Sequence, residues 1–174
     1  MNRIKIETPL GPMLVAAGPE GLAGSWFVGQ RHFPAEAVSW EHGRTDLLAE
    51  AETQLQAYLA GELKAFELRL APRGTPFQRA VWDHLRTIPY AQSSSYGQIA
   101  RALGRPSAAR AVGTAVGRNP WTLIVPCHRV VGSNGALTGY AGGLARKRWL
   151  LALEAGLPVQ KQPPGTTVVQ ADAA

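Results

Sequence analysis

The hexapeptide "APRGTP", residues 71–76, separates two stretches of chain whose apolar residues follow different periods. Ahead of it, short apolar runs alternate with turn residues, the pattern of strands. "RIKIET" alternates apolar and polar side chains as a half-buried strand does, and "PLGP" reads as a turn. "MLVAAG" and "LAGSWFVG" read as two more strands joined at "PEG". Residues 29–44 show no period and read as a surface loop. "TDLLAEAETQLQAYLAGE" reads as a helix, capped by Thr45, acidic in its first turns and stopped at Gly61. "FELRL" is a candidate further strand, and the hexapeptide itself a linker.

Beyond the linker, apolar residues recur every three or four positions behind Ser and Thr caps. Thr75, with Pro76 at the first helical position, opens a helix through "PFQRAVWDHLRTI". Phe77, Val81, Trp82, Leu85 and Ile88 fall on one stripe of it and are expected in the core. Ser95 caps "YGQIARAL", which stops at Gly104, and "AARAVGTAVGRN" forms another helix that ends near Asn119. Two short helices joined by a tight turn containing Gly describe a helix-turn-helix. "LIVPC" reads as a short buried strand ended by Pro126, and "SNG" as a tight turn. The expected division is a β-rich domain over residues 1–73, a helical domain over 74–157, and a loose Pro-rich tail over 158–174.

Charge follows the same division. Of a net charge of +6, residues 1–73 carry −2 and residues 74–174 carry +8, mostly as Arg. The basic half is either a solvated face or a surface that meets a polyanion, for which Arg forks are suited. The apolar runs are too short to span a bilayer, and no apolar signal region follows "MNRIKIETPL", so a cytoplasmic location is expected, without a membrane partner. A single cysteine excludes an internal disulfide and a multi-cysteine zinc cluster.

The second helix of the helix-turn-helix carries Ala108, Ala109, Ala111, Gly113 and Ala115, with Arg110 projecting from their midst. Such a surface serves either close helix packing or a close approach to a nucleic-acid groove, with Arg110 as the probe. It has few long polar side chains for reading base edges, so contact by shape in the minor groove is expected of the second alternative. The lone thiol, Cys127, is open to three readings: nucleophile, metal ligand or inert buried side chain. One Cys and one His are too few ligands for a metal. In a strand, His128 would point away from the thiol, so only a bend brings the imidazole back to it.

"PCHRVVG", preceded by "RNP" and followed by "LTGYAGG" and "RKRWLLALE", resembles the O6-alkylguanine-DNA alkyltransferases. "GTPFQRAVWDHLRTIPY" and "SYGQIARALGRPSAARAVG" extend the resemblance over roughly Thr75 to Gly156. It implies an α/β (α+β) fold: a small N-terminal ribonuclease H-like domain of sheet and helix, then a C-terminal helical domain of winged helix-turn-helix type. It implies that Cys127 accepts the alkyl group, that His128 activates it through a water and that Glu154 orients His128. Asn119 would tie the helix-turn-helix to the active-site segment, and Tyr96 would donate a hydrogen bond to the guanine ring. Arg110 would fill the stack left by a flipped nucleotide, with Ala109, Ala111 and Gly113 letting the helix approach the DNA. Pro126, Val130, Tyr140, Ala141 and Gly142 would form the substrate pocket, with backbone groups of Cys127 and Val130 reading the guanine edge.

The chemistry suits these residue types. A thiolate is a soft nucleophile for in-line displacement at carbon. The departing guanine oxygen would be stabilised by Tyr96 and a backbone N–H near Ala141. A thioether is a poor leaving group, so one turnover per molecule is expected, with no cofactor and no metal. The expected partner is double-stranded DNA carrying an alkylated guanine, with O4-alkylthymine as a further candidate substrate. The protein would act as a monomer or cooperatively along DNA. A non-enzymatic lesion sensor and a Cys-His-Glu hydrolase are the alternatives. Trp121, after the Asn-Pro step, has no role in this reading.

Overall fold

The computed structural model describes residues 1–161, so residues 162–174 of the expected loose tail lie outside the described residues, while its start is held on the fold, with Val159 against the core and the Trp149 indole N–H donating to the Gln160 carbonyl at 2.6 Å. Strands β1 (Asn2–Ile6), β2 (Met13–Gly18) and β3 (Gly21–Phe27) form the antiparallel meander the alternation predicts. Residues 29–44 depart from the expected loop. They hold a 3-10 turn, Ala35–Ser39, and a short strand β4 (Glu41–His42), which pairs parallel to β1 and completes the sheet in the order β3-β2-β1-β4. The reason is apolar burial without a period: Phe33 and Trp40 lie against Trp26 on the outer face of the sheet. Helix α1 (Asp46–Leu59) covers the other face with Leu48, Ala51, Leu55, Tyr58 and Leu59, and the Thr45 side chain accepts from the Leu48 N–H.

"FELRL" is not a strand. Only Leu70 bridges to Leu22, because the side-chain amide of Gln54 on α1 takes both backbone groups of Glu67, accepting at 2.9 Å and donating at 3.2 Å.

The second half begins at α2 (Pro76–Leu85), whose capping box joins Thr75 and Gln78 reciprocally. The helix stops short of "RTI", although Ile88 remains buried. A short β5 (Ser94–Ser95) leads into α3 (Tyr96–Ala102), capped by Ser95 with Gln98. Gly104, at φ +71°, turns the chain toward α4 (Ala109–Gly117). These helices form the helix-turn-helix, and the Trp82 indole N–H ties α2 to α4 by donating to the Ala115 carbonyl at 2.9 Å. β6 (Val130–Val131) pairs parallel to β5, and α5 (Leu144–Glu154) closes the domain. The fold is thus mixed α/β, with an N-terminal sheet domain and a C-terminal helical domain. Among the described residues no helix is long and apolar enough to cross a membrane.

The two halves are joined at the segment before the cysteine. Thr122 N–H donates to the Ser25 carbonyl at 2.9 Å, Ser25 N–H to the Pro120 carbonyl at 2.9 Å, and the Ser25 hydroxyl to the Thr122 carbonyl at 2.8 Å. Gly24 permits this approach, since a Cβ there would stand 2.6 Å from the Pro120 carbonyl oxygen. Trp121, for which the sequence suggests no role, lies at this junction. Its indole N–H donates to the Leu22 carbonyl at 2.8 Å, and its ring meets Trp82 edge-on at 5.6 Å. It is a buried pin between the halves.

Candidate active site

The segment from Asn119 to Cys127 is a tight buried loop, where a strand was expected. Leu123 sits at φ +74°, and the loop's own bridge joins Thr122 to Val125. Asn119 supplies the partners that a ladder would have supplied. Its amide donates to the carbonyls of Trp121 (3.3 Å) and Val125 (2.9 Å), and its carbonyl accepts from the Trp121 N–H (3.0 Å). Leu123, Ile124 and Val125 are buried as expected, but around a turn. Beyond Pro126 the chain enters a single 3-10 turn, Cys127–Arg129, so the strand alternation that would separate the two side chains does not apply to Cys127 and His128.

Cys127 is 5% exposed and opens onto a cavity of about 140 Å³. Tyr96, Gly113 and Gly117 line one side, and Gly139, Tyr140 and Ala141 the other. Arg31 and His32 of the N-terminal half close its mouth. Burial pushes the Cys127 thiol up, opposed by the Asn119 amide, the Lys147 ammonium and the backbone N–H groups of Cys127 and His128.

Behind the thiol lies a fully buried polar cluster. His128 Nε2 is 2.8 Å from Glu154 Oε1 and 3.0 Å from the Tyr58 hydroxyl oxygen. Its Nδ1 is buried and has no protein partner. Burial drives the imidazole below its ordinary range, against the pull of Glu154, so at neutral pH it is uncharged. A neutral ring that donates from Nε2 to the carboxylate leaves a basic lone pair on Nδ1. Glu154 also accepts from the Tyr58 hydroxyl (2.6 Å), from Arg129 Nε (3.0 Å) and Nη2 (2.8 Å), and from the Ala91 N–H (3.2 Å). Burial alone would raise its carboxyl. The hydrogen bonds from His128 and Arg129 prevail and hold it well below the carboxylate range. Arg129 is in turn fixed by donating to the Ile88 carbonyl at 2.7 Å.

Lys147 is buried without a carboxylate. Its ammonium donates to the carbonyls of Val130 (2.6 Å), Thr138 (2.8 Å) and Gly139 (3.3 Å), and so anchors the strip that walls the cavity. Burial lowers its pKa. In the same wall the Tyr140 hydroxyl is buried with no protein partner, and burial and the neighbouring thiol push its pKa well up. Gly142 lets Tyr140 fold over, since a Cβ there would meet the Tyr140 ring at 2.7 Å.

The structure therefore brings Cys127, His128, Glu154, Asn119, Tyr96, Tyr140, Ala141, Gly142 and Gly113 to one place. Arg110, Ala109 and Gly113 line an adjoining outer groove of about 530 Å³, while Ala111 is exposed on the same helix. Pro126 faces away, into a separate cavity with Tyr90 and Arg129. The carbonyls of Cys127 and Val130 already accept from the Val130 N–H and from Lys147. The Tyr96 hydroxyl accepts from Thr138 at 3.2 Å and keeps its own proton free to donate. Sequence reasoning missed Tyr58, Arg129 and Lys147. Lys147 was discoverable, because it falls on the same stripe of α5 as buried Leu150 and Glu154.

A thiol on the floor of a cavity, backed by a His–Glu pair and roofed by a helix-turn-helix, defines a class: proteins that bring a cysteine to a substrate held at a helical, basic face. Two family models match the chain, "6-O-methylguanine DNA methyltransferase, ribonuclease-like domain" over residues 1–72 and "6-O-methylguanine DNA methyltransferase, DNA binding domain" over residues 76–156. The chain belongs to the 6-O-methylguanine-DNA methyltransferase family, whose function is direct reversal of DNA alkylation by transfer of the alkyl group to a cysteine. It is 50% identical to the methylated-DNA–protein-cysteine methyltransferase of Methanosarcina acetivorans over 85% of this chain and 94% of that protein. It is 49% identical to the Mycobacterium leprae protein of the same name over 86% of this chain and 89% of that one. Among solved structures, Mycobacterium tuberculosis OGT in complex with DNA superposes with a TM-score of 0.85 at 44% identity, covering 94% of this chain and 96% of that one.

Proposed function

We propose that Cys127 takes the alkyl group from O6-alkylguanine in double-stranded DNA, with His128 as the base and Glu154 as the group that orients it. The observation that carries this reading is the buried, unpartnered Nδ1 of His128, whose other nitrogen is committed to Glu154. The thiol proton passes to Nδ1 through a water. The sulfur forms a bond to the alkyl carbon as the carbon–O6 bond breaks, and the electron pair leaves on the guanine, which takes a proton back at its ring. The free proton of Tyr96, the backbone N–H of Ala141 and the unpartnered Tyr140 hydroxyl stand around the cavity to stabilise the departing oxygen.

A base reaches this cavity only if it leaves the duplex, at a cost of a few kcal/mol. Arg110, on the exposed face of α4 beside Ala109, Ala111 and Gly113, fills the gap it leaves. The thioether product is not hydrolysed, so each molecule acts once. A nucleophile spent in a single event must stay reduced until then, which fits a cytoplasmic setting.

The test is the intact mass of the protein after incubation with a duplex that carries O6-methylguanine. One added methyl per molecule, located on Cys127 and absent from Cys127→Ala, is expected. Binding without transfer would make the protein a lesion sensor, and repeated turnover on an ester would make it a hydrolase.

A further inference from the structure

The N-terminal half, acidic overall by sequence, nevertheless places two basic residues at the mouth of the Cys127 cavity. Arg31 and His32 line both that cavity and the outer groove along α4, where Arg110 and Arg118 stand opposite. No Asp or Glu lines either depression. Three arginines, Arg31, Arg110 and Arg118, held together without counter-charge call for an anion from outside.

The Arg31–His32 segment is built, not loose. Arg31 N–H donates to the Ala141 carbonyl at 3.0 Å, which ties it to the cavity wall. Buried Gln30, one residue before, accepts from the Phe27 N–H (2.9 Å) and the Thr122 hydroxyl (3.2 Å), so the turn is fixed to the active-site loop as well. His32 adopts φ +60°, a conformation that costs energy in a non-glycine residue and persists only where its surroundings impose it. Burial together with the charges of Arg118 and Arg31 lowers the His32 pKa, which agrees with three basic groups converging there.

We infer that Arg31 and His32, with Arg118 across the groove, clamp the phosphodiester beside the flipped nucleotide. When a base enters the cavity as far as Cys127, its sugar occupies the mouth, and the adjoining phosphates lie where these residues stand. The N-terminal half thereby contacts DNA directly, outside the helix-turn-helix. Recognition there is of charge and position, without sequence.

The inference rests on the alkyl-transfer reading, and the experiment separates the two. Equilibrium binding to an O6-methylguanine duplex is measured in full-length Cys127→Ser protein, so that the lesion persists, across a range of salt concentrations. Arg31→Ala should bind about tenfold more weakly, and its log affinity should fall less steeply with log salt by about 0.9, the slope of one phosphate contact. Arg31→Lys should restore the slope. Neutral methylphosphonate in place of the phosphates flanking the lesion should weaken binding of the Arg31 protein, and weaken binding of the Arg31→Ala protein by less, since only His32 and Arg118 then remain to feel the loss. An unaltered salt slope, or losses from the two changes that simply multiply, overturns the clamp. If Arg31→Ala fails to fold, Arg31→Gln is read in its place. Methyl transfer by the Cys127 protein on the same duplex checks the parent reading separately: without it that reading fails, and with it only the clamp is at stake.

Discussion

Replacing Tyr58 by Phe would remove one oxygen from the centre of the polar cluster and almost nothing else. The ring would keep its packing against Phe66, 5.2 Å between centroids, and Tyr90, 6.2 Å. What is lost is the 2.6 Å bond donated to Glu154, in a place fully closed to solvent, so water cannot take it over. A hydrogen bond to a charged group contributes about 1.5–3 kcal/mol. His128, Arg129 and Ala91 continue to donate to the carboxylate, which stays ionised, so the loss should lie near the middle of that range, about 2 kcal/mol. For a chain of this length that lowers the melting temperature by roughly 4–8 °C at pH 7.

The pH dependence has a definite sign. Glu154 in the folded protein is held far below its unfolded range, so its contribution is complete above about pH 4.3 and is lost as the pH falls through the folded value. Tyr58→Phe deletes part of that contribution, so its deficit should be constant from pH 6 to 8 and shrink in acid. Alkyl transfer should slow by less than about tenfold: the variant also loses the 3.0 Å contact of the hydroxyl with His128 Nε2, but that nitrogen keeps its 2.8 Å bond to Glu154. Scanning calorimetry at several pH values and single-turnover transfer kinetics measure both effects. A variant that melts with the parent protein at neutral pH would refute the placement of that proton.

His128 and Lys147 yield two further expectations. Burial keeps His128 uncharged when folded, whereas the unfolded chain takes up a proton below about pH 6.5, so stability should decline as the pH falls past that value. The transfer rate should be level around neutrality, since neutral imidazole takes the thiol proton; in His128→Ala it should instead rise about tenfold per pH unit, with hydroxide doing that work. A level profile in His128→Ala would count against the base assignment. Lys147→Met keeps the apolar stem but leaves three carbonyls without their donor, and should loosen the wall formed by residues 138–140. Cys127 should then react with a bulky disulfide reagent about tenfold faster or more, and an unchanged rate would mean that Lys147 is not the anchor.

Local chemistry was the part of the fold legible in the sequence. Thr45, Thr75 and Ser95 cap helices through bonds to residues three positions on, so the signal and its effect lie within one turn. What failed to show was structure whose partners are distant or are side chains. "FELRL" has strand composition, but Gln54 satisfies its backbone. "LIVPC" has the apolar run of a strand, but Asn119 takes two of the carbonyls of its loop, and Ser25, 97 residues before Thr122, holds another. Cys127, His128 and Glu154 were legible through the motif that contains them. Tyr58 was not, because on the apolar stripe of α1 a buried tyrosine looks the same whether or not its hydroxyl has work to do.

That pattern bears on what the N-terminal half is for. It contributes no thiol and no recognition helix, yet its strand β3 supplies the Ser25 and Leu22 groups that hold Thr122 and Trp121, and its helix α1 the Tyr58 hydroxyl on Glu154. Leu123 at φ +74° is a conformation that a branched side chain does not adopt unaided, and the strain falls four residues before the nucleophile. Asn119 holds the loop from the helical side and Ser25 from the sheet, so neither half alone completes the restraint. A thiol that burial makes a poorer acid depends, on the proposed mechanism, on a base fixed to within a fraction of an ångström, and both ends of that fixation, the loop before Cys127 and the carboxylate behind His128, have anchors in the first 73 residues. The N-terminal half is therefore part of the framework of the candidate site, through β3 on one side and α1 on the other.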